Sequence, residues 1–140
     1  MIIQLPDNTG RLSDYRLQGK TIPAARLPSD APRTVLSAAH VVADPFSFND
    51  PGGPAAIDWK ATMAFRCHLH GLGLGIAEAM DTAQRGMGLD WPSALELIRR
   101  TRSELPDALV FNGAGTDQLG PADARTLDDV RRAYFEQLEA

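Results

Sequence analysis

Hydrophobic positions divide the chain into an N-terminal hairpin pattern and a longer part in which strand and helix patterns alternate. In residues 1–20, two short apolar segments flank Asp7-Asn8-Thr9-Gly10, a cluster that is typical of a hairpin turn. Residues 21–33 contain three prolines and are predicted to be an extended linker. We therefore predict a hairpin and linker over 1–33 and a separate main domain over 34–140.

Three apolar segments of the main domain are predicted to be buried strands. They cover residues 34–43, 74–80 and 108–112. They lack the alternation of apolar and polar residues that marks a strand with one solvent-exposed face, and this favours parallel strands covered on both sides.

Three stretches with apolar residues three or four positions apart are predicted to be helices, one after each strand. The first covers 58–70, the second begins at Pro92, and the third begins at Thr126, which forms a capping motif with Asp129. The residues predicted to be buried on the three helices are Ile57, Ala61, Ala64, Phe65, His68 and Leu72, then Leu95, Ile98, Thr101 and Leu105, then Leu127, Val130, Tyr134 and Leu138. The order β-α-β-α-β-α predicts an α/β fold with a parallel sheet and right-handed crossovers.

Composition and charge narrow the class of protein. The 140 residues carry a net charge of −4 without any run of lysine and arginine, which argues against a nucleic-acid-binding surface. No apolar segment approaches the roughly 18 residues that span a bilayer, and the N-terminus lacks a signal-peptide pattern, so we expect a cytoplasmic protein without membrane contact. The single cysteine, Cys67, excludes an intrachain disulfide and a multi-cysteine zinc site. Without a phosphate-binding glycine motif we expect no nucleotide cofactor, while a metal ion stays open.

The loop after the second predicted strand of the main domain carries the densest cluster of polar residues. Asp81, Thr82, Gln84 and Arg85 follow that strand directly, where α/β proteins place their chemistry. In a functional interpretation Asp81 accepts hydrogen bonds from substrate hydroxyls, while Arg85 and nearby amides receive an anion. The alternative is a solvated loop in which Asp81 and Arg85 pair only with each other.

Two ionisable residues lie within the predicted strands, and each has two interpretations. His40 could be a general base or a metal ligand, with Asp44 or Glu78 nearby, or a buried, hydrogen-bonded residue of the interior. Glu78 needs a partner or water, because an isolated carboxylate is costly inside a strand, so it could be catalytic or part of a buried network. By contrast, His68 and His70 are two apart on a helix and point to opposite sides, so they cannot share a metal ion.

The third predicted strand ends in a polar, glycine-rich segment. Asn112, Thr116 and Asp117 are candidate substrate-binding residues there. The intervening Gly113 and Gly115 could allow close approach of a ligand to the backbone, or could simply form a tight turn.

Several short segments resemble the dihydrodipicolinate synthase and N-acetylneuraminate lyase superfamily, in which they have counterparts in the same order. The segments are Asp44-Pro45-Phe46, Ile57-Asp58-Trp59, His70-Gly71-Leu72 and Asn112-Gly113-Ala114-Gly115-Thr116. The run from Glu78 to Pro92 is most similar to an uncharacterised group known only as dihydrodipicolinate-synthase-like. The resemblance covers about residues 34–140. It implies the first three βα units of a partial (β/α)8 TIM barrel, preceded by the N-terminal β-hairpin.

One departure from the superfamily pattern bears on the substrate. The superfamily's second strand ends in G-T-T-G-E, whose threonines bind the carboxylate of a keto acid, whereas this chain has Ala79-Met80-Asp81-Thr82-Ala83. Met80 offers no donor and Asp81 repels a carboxylate, which argues against pyruvate. The superfamily's tyrosine and Schiff-base lysine, on strands four and six, would lie beyond Ala140, and a complete barrel needs roughly 250 residues.

Three functions therefore stay open. The first, implied by the resemblance, is the N-terminal part of an aldolase-like carbon–carbon lyase for a small hydroxylated or sugar-derived substrate. From the residues themselves, its candidate catalytic group is His40, Glu78 and Asp81, and its candidate substrate-binding residues include Asp44, Thr82, Gln84 and Arg85. A metal-dependent isomerase or hydrolase would use the same three residues with Asp44. A non-catalytic fragment or binding module is the third, because a half barrel has unpaired strand edges that favour a homo-oligomer or a missing C-terminal half.

Overall fold

A computed structural model describes most of the chain. The described residues are 1–20, 23, 25–26, 28–30, 33–48, 50, 53–54 and 56–140. Residues 21, 22, 24, 27, 31 and 32 of the predicted linker lie outside them, and no helix or strand is assigned to the linker residues that are described. Among the described residues, no helix is long and apolar enough to cross a bilayer.

The predicted N-terminal hairpin is confirmed. Strands β1 (Ile2–Pro6) and β2 (Leu12–Arg16) pair antiparallel. The carboxylate of Asp7 holds the turn by accepting hydrogen bonds from the backbone N–H groups of Thr9 and Arg11, at 2.8 and 2.9 Å. This is the local bonding for which aspartate is favoured in turns.

The predicted parallel sheet is also confirmed. Strands β3 (Leu36–Ala38), β4 (Gly75–Glu78) and β5 (Val110–Asn112) are parallel and lie in the order β3-β4-β5. The described part of the chain is therefore mixed α/β, with an antiparallel hairpin, a three-stranded parallel sheet and three helices. No closed barrel is formed by the described residues, so the predicted partial barrel is not established by this sheet.

The first strand of this sheet is shorter than the predicted 34–43. Beyond Ala38 the chain leaves the ladder, and Ala43 instead forms an isolated antiparallel bridge with Ile57. The backbone N–H of Val42 donates to the side chain of Thr62 at 3.0 Å. The apolar run at residues 34–43 is therefore longer than the strand, because its backbone pairs with β4 only as far as Ala38.

Three helices lie close to their predicted positions, and their N-termini use the expected caps. Helix α1 (Trp59–Gly71) follows β3 and is capped by Asp58, and α2 (Trp91–Glu104) follows β4 and is capped by Asp90. Helix α3 (Leu127–Glu139) follows β5 and begins with the predicted capping box of Thr126 and Asp129. Each cap satisfies backbone N–H groups that have no partner within the helix.

The predicted buried face was partly wrong for α1, where Ile57 and Phe65 do pack partly buried against the core, and it was wrong for most of α3. Helix α1 buries Thr62, Met63, Arg66 and Leu69, while Ala64 and His68 of the predicted face are exposed. The physical reason is that Thr62 and Arg66 form hydrogen bonds beneath the helix, and these bonds set its rotation.

On α3 the buried residues are Ala133 and Gln137, whereas Leu127 and Leu138 are 88% and 68% exposed. Tyr134, also predicted to be buried, is exposed. Gln137 faces inward because its amide is used in hydrogen bonds to the loop after β5. On α2 the prediction was right for Thr101 and Leu105, and Ile98 packs partly buried against the core, while the buried Ala94 and Leu97 were missed.

The core lies between the sheet and the helices in two clusters. One contains Ala39, Leu69, Ile76, Leu105 and Ala108, and the other contains Ala79, Ala83, Leu89, Ala94 and Leu97. Leu36, Leu109 and Phe111 are in contrast 39%, 47% and 51% exposed. Because side chains alternate between the faces of a strand, Leu36 and Phe111 lie on the face opposite Ile76 and Val110.

Candidate active site at the carboxyl edge of the sheet

The structure places most of the predicted site residues at the carboxyl ends of β4 and β5. Glu78 and Asn112 are the last residues of their strands and are register partners. Asp81, Thr82, Gln84 and Arg85 lie in the loop after β4, in which residues Asp81–Ala83 form a short 3-10 turn. Thr116 and Asp117 lie in the loop after β5, and His40 and Asp44 follow β3.

Arg85 joins these two loops. Its Nη2 lies 3.0 Å from Asp117 Oδ1, and its Nε donates to the same oxygen at 3.1 Å. Its Nη1 donates to the carbonyls of Ala79 and Gly113, the residues that directly follow β4 and β5, and its Nη2 donates to the amide oxygen of Gln137. The side chain is 8% exposed, so these donors are committed inside the protein. The predicted alternative in which Arg85 pairs with Asp81 is wrong, because its carboxylate partner is Asp117.

Asp117 is held as a carboxylate by this network. Burial by itself raises the pKa of Asp117, but hydrogen bonds from Gln137 and Arg85, together with the Arg85 charge, outweigh burial and hold the pKa below its ordinary value of 3.8. Gln137 completes the network, since its amide nitrogen donates to Asp117 at 3.0 Å and its oxygen accepts from the Gly115 N–H at 2.6 Å. Sequence reasoning missed Gln137, whose polar side chain gave no sign of burial on an amphipathic helix.

Asp81 and Thr82 differ from Arg85 because both are exposed. Among the described residues, no side-chain hydrogen bond or ion pair is made by either of them. They are bracketed by two non-glycine residues with positive φ, Ala79 at 48° and Gln84 at 61°. Such conformations cost about 1–3 kcal/mol each and cluster at functional sites. The turn thus presents a free carboxylate and a free hydroxyl on a constrained backbone.

Gly113 shows why a glycine is needed at the end of β5. A Cβ added there would lie 2.8 Å from the carbonyl oxygen of Ala79. Its N–H donates to the carbonyl of Glu78 at 3.0 Å. Of the two interpretations of this glycine, the structure therefore favours the tight turn, with the neighbouring backbone in the place that a ligand would occupy.

A cleft of about 380 Å³ lies beside this edge. It runs between Gly53 and Pro54 on one side and the segment 86–90 on the other, and Asp117 also lines it. Asp81 is not among its lining residues. The cleft therefore adjoins the Arg85–Asp117 pair, while the 3-10 turn stands next to it in the chain.

Glu78 belongs to a second, fully buried network on the helix side of the sheet. Its two carboxylate oxygens accept from Arg66 Nε at 2.5 Å and Arg66 Nη2 at 2.6 Å. Thr101 Oγ1 donates at 2.6 Å and the N–H of Ala79 at 2.9 Å. The side chains of Glu78 and Arg66 are both 0% exposed. Sequence reasoning missed Arg66, although the spacing of Thr62, Arg66 and Leu69 was a signal that they share one helix face.

The side chains of His40 and Asp44 lie apart from these networks, and His40 is exposed rather than in the interior. The His40 ring contacts the ring of Phe65 with 4.6 Å between centroids, and its carbonyl accepts from Arg66 Nη1 at 3.1 Å. Asp44 accepts from Ser47 Oγ at 2.7 Å and the N–H of Phe46 at 2.9 Å, and these bonds lower its pKa. Within the described part of the chain, no three histidine, cysteine, aspartate or glutamate residues converge to hold a metal ion. The alternative ligand set of His40, Asp44, Glu78 and Asp81 is therefore not assembled.

Comparison with known proteins identifies the family of this chain but gives no activity. The model of a family described as "Protein of unknown function (DUF993)" matches residues 3–140. No match was found among curated proteins. Neither finding links the chain to the dihydrodipicolinate synthase superfamily, so that resemblance stays a prediction.

Proposed function

The chain belongs to the DUF993 family, and we propose that it forms part of an aldolase-like carbon–carbon lyase whose substrate site lies at the carboxyl edge of β4 and β5. The sheet order β3-β4-β5, with a helix after each strand, supports the barrel from which such a site would be built. In barrel enzymes the chemistry lies in the loops at this edge.

One observation carries the proposal. The turn Asp81–Ala83 holds an exposed carboxylate and an exposed hydroxyl between two strained residues, Ala79 and Gln84. Shortly after this turn in the chain, Arg85 pairs with Asp117 and so joins the loops after β4 and β5. Unpaired polar side chains on a loop that is held in place can orient a substrate. A loop that is only solvated gives no reason for strained backbone conformations.

Asp81 is the residue to which we give the proton-transfer step. Its carboxylate takes the proton of a substrate hydroxyl, the neighbouring carbon–carbon bond breaks, an aldehyde leaves, and the electron pair stays on the adjacent carbon as an enolate. Thr82 donates a hydrogen bond to a second substrate oxygen. The group that stabilises the enolate is not assigned to any described residue. The reaction class itself rests on the resemblance of the short segments near the ends of these strands.

Glu78 and His40 receive other roles in this proposal. Four donors hold the Glu78 carboxylate in a dry interior, so we assign it to fixing the end of β4 rather than to proton transfer. His40 contacts Phe65 through its ring, and its predicted catalytic role is untested. A metal-dependent isomerase is less well supported, because its ligand set does not converge.

Turnover of a panel of hydroxylated keto acids and sugar acids, followed by aldehyde release, tests this function in a family member that contains the whole proposed barrel, because no described residue of this chain is assigned to stabilise the enolate. The informative pair is Asp81→Ala and Asp107→Ala, since Asp107 is also exposed but lines the opposite end of the strands. We expect Asp81→Ala to lose about 100-fold or more in turnover, as for a lost general base, while Asp107→Ala is unaffected. Equal turnover of both variants would contradict the role of Asp81. Ligand binding without any cleavage would replace the lyase with a binding module.

A further inference from the structure

A cleft lies at the amino edge of the sheet, opposite the proposed active site. Its volume is about 960 Å³, within the range of small-molecule sites. Val35, Gly75 and Leu109 line it where β3, β4 and β5 begin. Among the described linker residues, Arg26, Pro28, Ser29 and Arg33 line its other side.

The charges around this cleft are unbalanced. Arg26 and Arg33 line it, and within the described part of the chain neither makes an ion pair or a hydrogen bond through its side chain. Arg66, Arg85, Arg100 and Arg132 in contrast all pair with carboxylates. Asp107 is the one acid among the described lining residues. The described lining therefore carries two guanidinium groups against one carboxylate.

Neutral donors complete the lining. Ser29 and Thr34 contribute hydroxyls and His70 an imidazole. The carboxyl end of α1 also reaches the cleft, and the negative end of a helix disfavours an anion. That effect is reduced here, because the last carbonyls already accept hydrogen bonds, with Leu72 donating to His68 and Gly73 donating to His70 at 3.1 and 2.9 Å.

We propose that this cleft binds a small polyanion, a molecule with two compact oxyanion groups, through Arg26 and Arg33. Guanidinium groups bind phosphates and carboxylates through paired, charge-assisted hydrogen bonds, and two arginines fit two such groups on one ligand. The site is independent of the proposed lyase activity, because it lies at the other edge of the sheet and shares no residue with it.

Titration of the full chain with pyrophosphate, citrate and inorganic phosphate, followed by amide chemical shifts, tests the proposal. We expect pyrophosphate or citrate to bind more tightly than inorganic phosphate, with shifts at Gly71, Gly73 and Val35. A preference between pyrophosphate and citrate identifies the natural oxyanion as phosphate or carboxylate. Chloride at matched ionic strength serves as the control for screening.

Two matched arginine variants and one variant of the acid in the lining sharpen the test. Arg33→Ser should weaken binding by about tenfold, the usual effect of losing a charge-assisted bond, while Arg11→Ser on the hairpin should leave it unchanged. Asp107→Asn should tighten binding, because it removes the one acid of the lining. Equal loss in the two arginine variants, or shifts confined to Gly86 and Gly113 at the carboxyl edge, would overturn the proposal.

Discussion

At the scale of single residues, the most informative group is the buried pair of Arg66 and Glu78. The sequence indicated that a carboxylate within a buried strand needs a partner, but it could not identify Arg66, which is 12 residues earlier on a helix whose rotation was mispredicted. The rotation of α1 identifies the partner, because the hydrogen bonds of Thr62 and Arg66 turn Arg66 towards the sheet. For this buried ion pair, the sequence therefore predicted that Glu78 needs a partner but did not predict that the partner is Arg66.

We expect Glu78→Gln to lower the free energy of unfolding by about 3–5 kcal/mol, because it leaves the Arg66 charge buried without a counterion. Glu96→Gln is the matched control, since Glu96 pairs with Arg100 at a surface where both side chains are more than 40% exposed. Such a pair contributes at most about 1 kcal/mol. Urea unfolding followed by circular dichroism measures both, and equal losses would contradict the buried-pair account.

Backbone strain at Gln84 gives a second residue-scale prediction. Gln84 is exposed at φ 61° and ψ 31°, a left-handed conformation that costs a non-glycine residue about 1–2 kcal/mol. Gln84→Gly should therefore raise the melting temperature, whereas Gly86→Ala, at φ 72°, should lower it. Calorimetry measures the melting temperatures of both variants. A lower melting temperature in Gln84→Gly would mean that contacts of the Gln84 side chain outweigh the backbone strain at this position.

At the scale of elements, the order of helices and strands was predictable, whereas the buried faces of the helices were predicted only in part. Caps such as Thr126 with Asp129, and proline in the first turn of α2, are local signals, so the helix starts came out correctly. Helix α3 shows the limit of this reasoning. Its apolar residues suggested one buried face, but Gln137 docks it through hydrogen bonds to a loop 20 residues away. Long-range polar bonds of this kind leave no periodic trace in a sequence.

The docking of α3 should weaken in acid. The folded-state pKa of Asp117 lies below its ordinary value, so its contribution is fully present above that value and is lost as pH falls through the folded pKa. We therefore expect Asp117→Asn to be less stable than wild type near pH 7 and the difference to shrink as the pH falls below 3.8. Urea unfolding across this range measures it. A gap that does not change with pH would contradict an ionised Asp117 in the Arg85 network.

At the scale of the whole molecule, the described sheet has an apolar face with little cover. Leu36, Leu109 and Phe111 are all at least 39% exposed, and exposed apolar patches of this kind mark interaction surfaces. We expect the 140-residue chain to associate in solution, and Phe111→Thr, which keeps strand propensity, to reduce association. Light scattering at increasing concentration measures this. A monomer at all concentrations would contradict it.

The proposal as a whole depends on where the substrate binds, and amide chemical-shift mapping with a hydroxylated sugar acid measures that most directly. If the carboxyl edge is the substrate site, the perturbed amides will cluster at residues 80–88 and 113–117, and Asp81→Ala will abolish the shifts while leaving the rest of the spectrum intact. Perturbations confined to the amino edge, at Gly71 and Gly73, or unchanged binding in Asp81→Ala, would contradict an active site built on the turn after β4.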